Sequence, residues 1–169
     1  AAIRRAVTAR PRFDHEVVPV GLREANLVVE RLHRRLGKVQ GHKFAIGLRR
    51  VLDQELDGVA IAARPVSRHL DDGITAEVRR IAVDPSVANG CTKLLGAIAR
   101  SASAMGYRRL VTYTSEDEDG ASLYAAGWDP IGRSPGGRWG SSKRPRDAGP
   151  EEGRKVVWVK VLRGDRRER

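Results

Sequence analysis

Cysteine is all but missing from this sequence: Cys91 is the only one among 169 residues. One cysteine excludes an intrachain disulfide and a cysteine-based zinc site. Long apolar runs are missing as well. None approaches the roughly 20 residues that a membrane-spanning helix needs, so no membrane partner is expected. The opening Ala1-Ala2-Ile3-Arg4-Arg5 lacks the apolar stretch of a signal peptide, and a cytoplasmic location is the resulting expectation. There is no internal repeat. Acidic residues are in deficit, 21 against 32 Lys and Arg, which leaves a net charge of +11.

That surplus favours polyanionic partners such as nucleic acid or nucleotide phosphates. An arginine-rich coding bias explains it equally well. The charge is dense at both ends, in Arg4, Arg5, Arg10 and Arg12 and again in Arg163, Arg166, Arg167 and Arg169. We therefore expect a flexible basic N-terminus over 1–14, a single domain over 15–163 and a basic tail over 164–169. With 40% hydrophobic and 31% charged residues, the chain reads as one globular domain with one sizeable core.

Periodicity predicts the elements. Glu16 to Val20 is a short strand. Gly21 to Gly37 is a helix, with Leu22, Ala25, Val29, Leu32 and Leu36 at helical spacing and Gly37 as its stop. Lys43 to Leu52 and Leu56 to Val66 are strands joined by a turn at Asp53-Gln54-Glu55. Thr75 to Val83 is a strand rich in β-branched residues. Thr92 to Met105 is a helix whose buried side holds Leu94, Leu95, Ile98, Ala102 and Met105. Arg109 to Thr114 is a strand buried on both faces, Ala121 to Ala126 a short helix, and Trp128 to Arg133 and Lys155 to Leu162 are strands. The order β-α-β-β-β-α-β-α-β-β makes an α/β (α+β) mixed sheet with helices on its faces.

The chemistry-bearing unit is Thr75-Ala76-Glu77-Val78-Arg79-Arg80-Ile81-Ala82-Val83-Asp84-Pro85 and the loop that follows, Ser86-Val87-Ala88-Asn89-Gly90-Cys91-Thr92. A strand feeds a small-residue loop, and the loop opens a helix. Amides at a helix start point outward unpaired, and the helix dipole favours an anion there, a pyrophosphate above all. A plain strand–turn–helix connection looks much the same. Between Ser134 and Gly153 lies a long loop holding Arg138, Trp139, Lys143, Arg144 and Arg146. Cations interleaved with an aromatic suit phosphates and stacked bases, while the alternative is a solvated connection.

On these segments the chain resembles the GNAT acyltransferases. Their fourth strand ends in a Val-x-Pro-like step, here Val83-Asp84-Pro85, and the next helix opens on a Gln/Arg-x-x-Gly-x-Gly/Ala loop, whose motif positions fall on Ser86, Asn89 and Cys91. Met105 to Thr114 is similar to the end of the family's third helix and its fifth strand. Ser122-Leu123-Tyr124-Ala125-Ala126-Gly127-Trp128 is similar to its closing helix. More narrowly, Gly41 to Phe44, Arg64-Pro65-Val66 with Leu70 to Gly73, Gly106 to Thr114 and Ala125-Ala126-Gly127-Trp128 resemble a GNAT-like group found in phages and bacteria. The location would then be a host cytoplasm.

The resemblance implies a largely antiparallel sheet splayed between strands four and five. It implies acetyl-CoA or another short acyl-CoA as cofactor, and acyl transfer to an amine by direct attack on the thioester. It places the cofactor on Ile81, Ala82, Val83, Val87, Ala88, Asn89, Gly90, Cys91, Thr92 and Thr114. Cys91 would then be a packed small residue. Glu77, six residues before Val83, matches the strand-four glutamate that draws a proton from the amine; the alternative is a strand carboxylate paired with Arg79 or Arg64. His33 and His42 border the acceptor side and are further candidate bases. Arg79, Tyr113, Trp139, Arg144 and Arg146 are candidate substrate ligands.

The family's general-acid tyrosine stands four residues before the Gly, which is Leu123 here. Tyr124 comes one residue later, about 100° around the helix, so Ser122, Tyr113 or water are the fallback donors. His33, His42 and Glu77 have no diagnostic metal-ligand spacing. The acceptor is a small-molecule amine or a nucleic-acid-linked one, on a modified DNA base or an aminoacyl-tRNA. A second copy of the chain is a candidate partner, and a non-catalytic GNAT-like binding protein is the remaining alternative.

Overall fold

The computed structural model describes residues 14–33, 35–134 and 153–162. The expected flexible N-terminus, the tail and most of the basic loop, with Trp139, Arg144 and Arg146, lie outside them. The element order is the expected one: β1 (His15–Pro19), α1 (Leu22–Leu32), β2 (Phe44–Arg50), β3 (Leu56–Ala63), β4 (Thr75–Val83), α2 (Gly90–Ala104), β5 (Arg109–Ser115), α3 (Ala121–Ala125), β6 (Asp129–Ser134) and β7 (Lys155–Val161).

The seven strands form one sheet in the order β1-β2-β3-β4-β5-β7-β6. Every pairing is antiparallel except β4 with β5. That exception follows from connectivity, because β4 and β5 are joined by the crossover helix α2 and not by a hairpin. β3 is buried at every position, and its near-continuous apolar run LDGVAIAA fits a strand covered on both faces. On one face α1 sets Ala25, Val28 and Val29 against Ala45, Val59, Ile61 and Ala82. On the other, α2 sets Leu94, Leu95, Ile98 and Ala102 against Ile46, Leu48, Ala60, Val78 and Leu110, with Leu123, Trp128 and Trp158 closing the cluster. Each such large aliphatic side chain contributes about 1.5–3 kcal/mol by leaving water.

Several predicted boundaries move, each for a physical reason. The first helix ends at Leu32 rather than Gly37. His33 leaves helical angles (φ −83°, ψ 122°), and its Nδ1 accepts the amides of Arg35 (3.2 Å) and Leu36 (3.1 Å). β3 stops at Ala63, because the residue before Pro65 is driven from regular pairing and Pro65 has no amide to give. α2 starts at Gly90, earlier than Thr92, and ends at Ala104. Met105 therefore falls at the C-cap and is exposed, not on the buried side as its spacing suggested.

A register shift in β4 matters for function. Ile61 pairs with Arg80 but Ala62 pairs with Val78, so Arg79 has no opposite partner. Such a bulge bends the strand and re-aims a side chain. Before it, Ala76 and Val78 face α2; after it, Ile81 and Val83 do. By the same alternation Glu77 and Arg80 lie on the α1 face, where Ala82 packs.

Candidate active site

The parallel ladder between β4 and β5 is short. It pairs Thr75 with Arg109, Ala76 with Leu110 and Glu77 with Val111, and then stops. Val78–Val83 and Thr112–Ser115 continue without a ladder between them. One side-chain bond crosses the gap, from Thr112 Oγ1 to the Val78 carbonyl at 2.8 Å. The sheet opens into a V whose inner edges carry peptide groups without a strand partner, a surface on which an extended ligand can hydrogen-bond.

Glu77 stands at the apex as the last residue of that ladder. It is 5% exposed. Its Oε2 accepts the Val66 amide at 2.8 Å, which the break at Pro65 turns toward it. Its Oε1 lies 3.0 Å from Arg79 Nε. Burial pushes the Glu77 carboxyl up, and the Val66 amide and the charges of Arg79, Arg80 and Lys155 oppose this without cancelling it. A carboxylate raised in this way is a better proton acceptor near neutral pH. Tyr113 shares the neighbourhood: burial pushes its hydroxyl up, and the Glu77 charge adds to the effect. Of the two arginines expected as partners, Arg79 takes the role, while Arg64 pairs with Asp71 at 2.5 Å.

The anion end lies at the start of α2. Asn89 adopts left-handed angles (φ 56°, ψ 24°), as an Asn can. The turn before it is held by Asp84, whose Oδ1 accepts the Ser86 amide (2.8 Å) and hydroxyl (2.6 Å). The Val87 and Gly90 amides close local turns. The amides of Ala88, Asn89, Cys91 and Thr92 find no acceptor among the described residues. Gly90 packs the helix start onto β4: a Cβ there would sit 2.4 Å from Val83 Cγ1. Its role is close approach, and Asn89 supplies the left-handed position. The unpaired amides at a helix N-terminus suit a phosphate group. Cys91 is partly buried, and burial pushes its thiol up, which disfavours the thiolate a nucleophile needs.

The other expected residues are placed as follows. Ile81 and Val83 pack toward α2 and Ala82 toward α1. The Thr114 hydroxyl accepts Trp158 Nε1 at 2.9 Å. Trp158 is itself clamped by Gly120, where φ is 66° and a Cβ would meet the indole at 2.4 Å. Leu123, in the general-acid position of the resembled family, is buried in the core. Tyr124 is exposed and meets Trp158 edge-on, with ring centroids 4.8 Å apart. Ser122 is half-buried. His33 Nδ1 is occupied by the two amides that end α1, and His42 sits half-buried just before β2.

Sequence reasoning missed Val66, Arg80 and Lys155 around Glu77. It also missed a link between Arg35 and Asp117 on the same face of the sheet. Val66, Lys155 and the Arg35–Asp117 pair carry no local signal, since they come from other parts of the fold, and Arg80 shares the strand of Glu77 but acquires its place from the bulge.

No protein-family model matches the sequence, and no similar curated protein is found. Solved structures do match. An acetyltransferase of the GNAT family from Streptococcus pneumoniae superposes with a TM-score of 0.60 at 12% identity, covering 88% of this chain and 99% of its own. IAA acetyltransferase from Bacillus cereus gives 0.61 at 13% identity over 88% and 100% of the two chains. A Bacillus subtilis acetyltransferase in complex with CoA gives 0.56 at 15%, over 88% and 99%. The chain has the GNAT fold, its sheet open between β4 and β5.

Proposed function

We propose that the chain is an acyl-CoA-dependent N-acyltransferase that uses acetyl-CoA or another short acyl-CoA. The observation that carries this reading is the buried Glu77 at the apex of the β4–β5 split, with unpaired amides at the start of α2 beyond it. The neighbour in complex with CoA supports it.

In this reading the amides of Ala88, Asn89, Cys91 and Thr92 hold the cofactor's phosphates, and the inner edges of β4 and β5 hold its extended arm. The bound cofactor supplies an acyl carbon on a good leaving group. Glu77 takes a proton from the acceptor amine, directly or through water, as that nitrogen bonds to the acyl carbon and the carbon–sulfur bond breaks. Cys91 has no part in the transfer, so the acyl group moves in one step. Leu123 cannot protonate the leaving thiolate, and Tyr113 or water takes that place.

Calorimetry with acetyl-CoA tests the reading. We expect saturable binding that weakens when the start of α2 is altered. No binding at millimolar acetyl-CoA would sink it and promote a non-catalytic GNAT-like binding protein. The net charge of +11 keeps a nucleic-acid-linked amine as an alternative acceptor, and salt-sensitive retention on RNA or DNA is its mark.

A further inference from the structure

Arg79 is the residue that the bulge in β4 sets apart, and its hydrogen bonding is incomplete. A guanidinium carries five N–H donors in a planar fork. Nη2 donates to the Arg64 carbonyl at 3.2 Å. Nε lies 3.0 Å from Glu77 Oε1, yet it is buried and not aligned on any acceptor. No partner for Nη1 occurs among the described residues. The side chain keeps 30% of its surface open while Nε faces Glu77 and is buried, so Nη1 is the donor left for a molecule arriving from solvent.

We propose that the acceptor is a small amine carrying its own acid group, a carboxylate or similar oxyanion within a few bonds of the nitrogen, and that Arg79 selects it. This rests on the acyltransferase reading above. Arg79 and Glu77 place a cation and an anion side by side, which is the complement of a molecule with an amine and an acid close together. The oxyanion takes the Nη1 donors, and the nitrogen is left facing Glu77.

The surrounding charge points the same way. Arg79, Arg80 and Lys155 all act on Glu77. A purely cationic ammonium arriving here meets three positive charges and one negative, whereas an acid group on the same molecule offsets the excess. Those cations also favour the neutral, nucleophilic form of the amine. An oxyanion on Arg79 would in addition draw that guanidinium from Glu77 and leave the carboxylate more basic when the right acceptor is bound.

The test uses the full chain with acetyl-CoA and follows release of the CoA thiol. Acceptors are offered in matched sets: an α-amino acid, its amide, the amine lacking the carboxylate, and an O-phosphorylated amino alcohol. The acid-bearing members should be preferred by about 10–100-fold in kcat/KM, mostly through KM, as for a charge-assisted hydrogen bond. The carboxylate and phosphate arms tell which oxyanion is taken. Arg79→Gln should erase the preference, and Arg79→Lys should restore part of it. Acetyl-CoA affinity by calorimetry should stay the same in both variants. Equal turnover of acid-bearing and acid-free amines, turnover of acid-free amines alone, no turnover of any acid-bearing amine, or a preference that survives Arg79→Gln would each overturn the proposal. Loss of the acyltransferase reading itself shows separately, as absent acetyl-CoA binding, and the proposal falls with it.

Discussion

Arg35 and Asp117 tie the loop after α1 to the far side of the open sheet: Nη1 donates to Oδ1 at 3.1 Å and Nη2 to Oδ2 at 2.6 Å. Two residues on, the Gly37 carbonyl accepts Arg80 Nε at 2.9 Å. Asp117 follows the diverging half of β5, and Arg80 belongs to the diverging half of β4. The loop over residues 35–41 is thus anchored to both sides of the split, on the face where Glu77 lies. Both members of the ion pair are well exposed, at 43% and 64% of their side chains. The Arg35 guanidinium holds the Asp117 carboxyl below the usual carboxylate range.

An exposed pair of this kind contributes less than about 1 kcal/mol to folding. Asp117→Asn should therefore leave the urea midpoint nearly unchanged. It should nonetheless raise the acceptor KM severalfold, because the strap no longer fixes the width of the opening. The swap Arg35→Asp with Asp117→Arg should recover the KM, and an unrecovered KM would show that the pair does not act as a strap.

Glu77→Gln keeps an acceptor for the Val66 amide but removes the carboxylate proposed as the base. Turnover should fall by about 10²–10⁴-fold while acetyl-CoA binding persists. In the wild type the acidic limb of kcat/KM should lie above the ordinary carboxylate range, in line with the raised Glu77 carboxyl. The stability consequence has a definite sign. A carboxyl raised on folding contributes stability below its unfolded pKa and loses it as pH rises through the folded value. Urea titrations of wild type and variant should diverge in the variant's favour as pH climbs from mildly acidic to neutral. Parallel titrations would contradict the assignment.

Two glycines of α2 make a contrast. Gly90→Ala puts a methyl 2.4 Å from Val83 Cγ1 and should cost about 1–3 kcal/mol through overpacking. It should also weaken acetyl-CoA binding by displacing the helix start. Gly96→Ala meets only the flexible end of Arg100, at 3.3 Å. It should be neutral or stabilising by up to about 1 kcal/mol, the helix preference of Ala over Gly. Thermal melts and calorimetry on the pair check both halves.

Asp57 sits at a second register shift, between β2 and β3. Its Oδ2 meets His15 Nε2 at 2.6 Å, and Arg50 Nη2 donates to Oδ1 at 2.6 Å. Burial pushes this carboxyl up, but the Arg50 and His15 bonds outweigh it and hold Asp57 below the usual range. Its contribution is present above the unfolded pKa and lost as pH falls through the folded one. Asp57→Asn, which replaces a buried carboxylate bonded to Arg50 and His15 with a neutral amide, should cost about 1.5–3 kcal/mol near neutral pH. The deficit should shrink in acid. A constant deficit across that range in urea titrations would show that the carboxylate charge is not what matters.

What the sequence determined by itself was the succession of elements and where along it a candidate site falls. Apolar spacing is a local property, so Leu94, Leu95 and Ile98 announce a helix and Thr75–Val83 a strand without reference to anything distant. A small-residue loop between them marks a helix start open to anions. The narrower errors were local too: His33 ended a helix that Gly37 was expected to end, because an imidazole can capture two amides and spacing does not register it.

Tertiary structure alone decided where the β4–β5 ladder stops, which side chains surround Glu77 and how the two sides of the split are joined. Val66, Lys155 and the Arg35–Asp117 pair reach the region of Glu77 and Arg80 from separate parts of the chain. Whether Glu77 is a surface carboxylate or a buried base depends on that assembly. Burial is the largest influence on its proton affinity, ahead of the Val66 amide and the charges of Arg79, Arg80 and Lys155, and burial is not a property of the residues beside it in the chain.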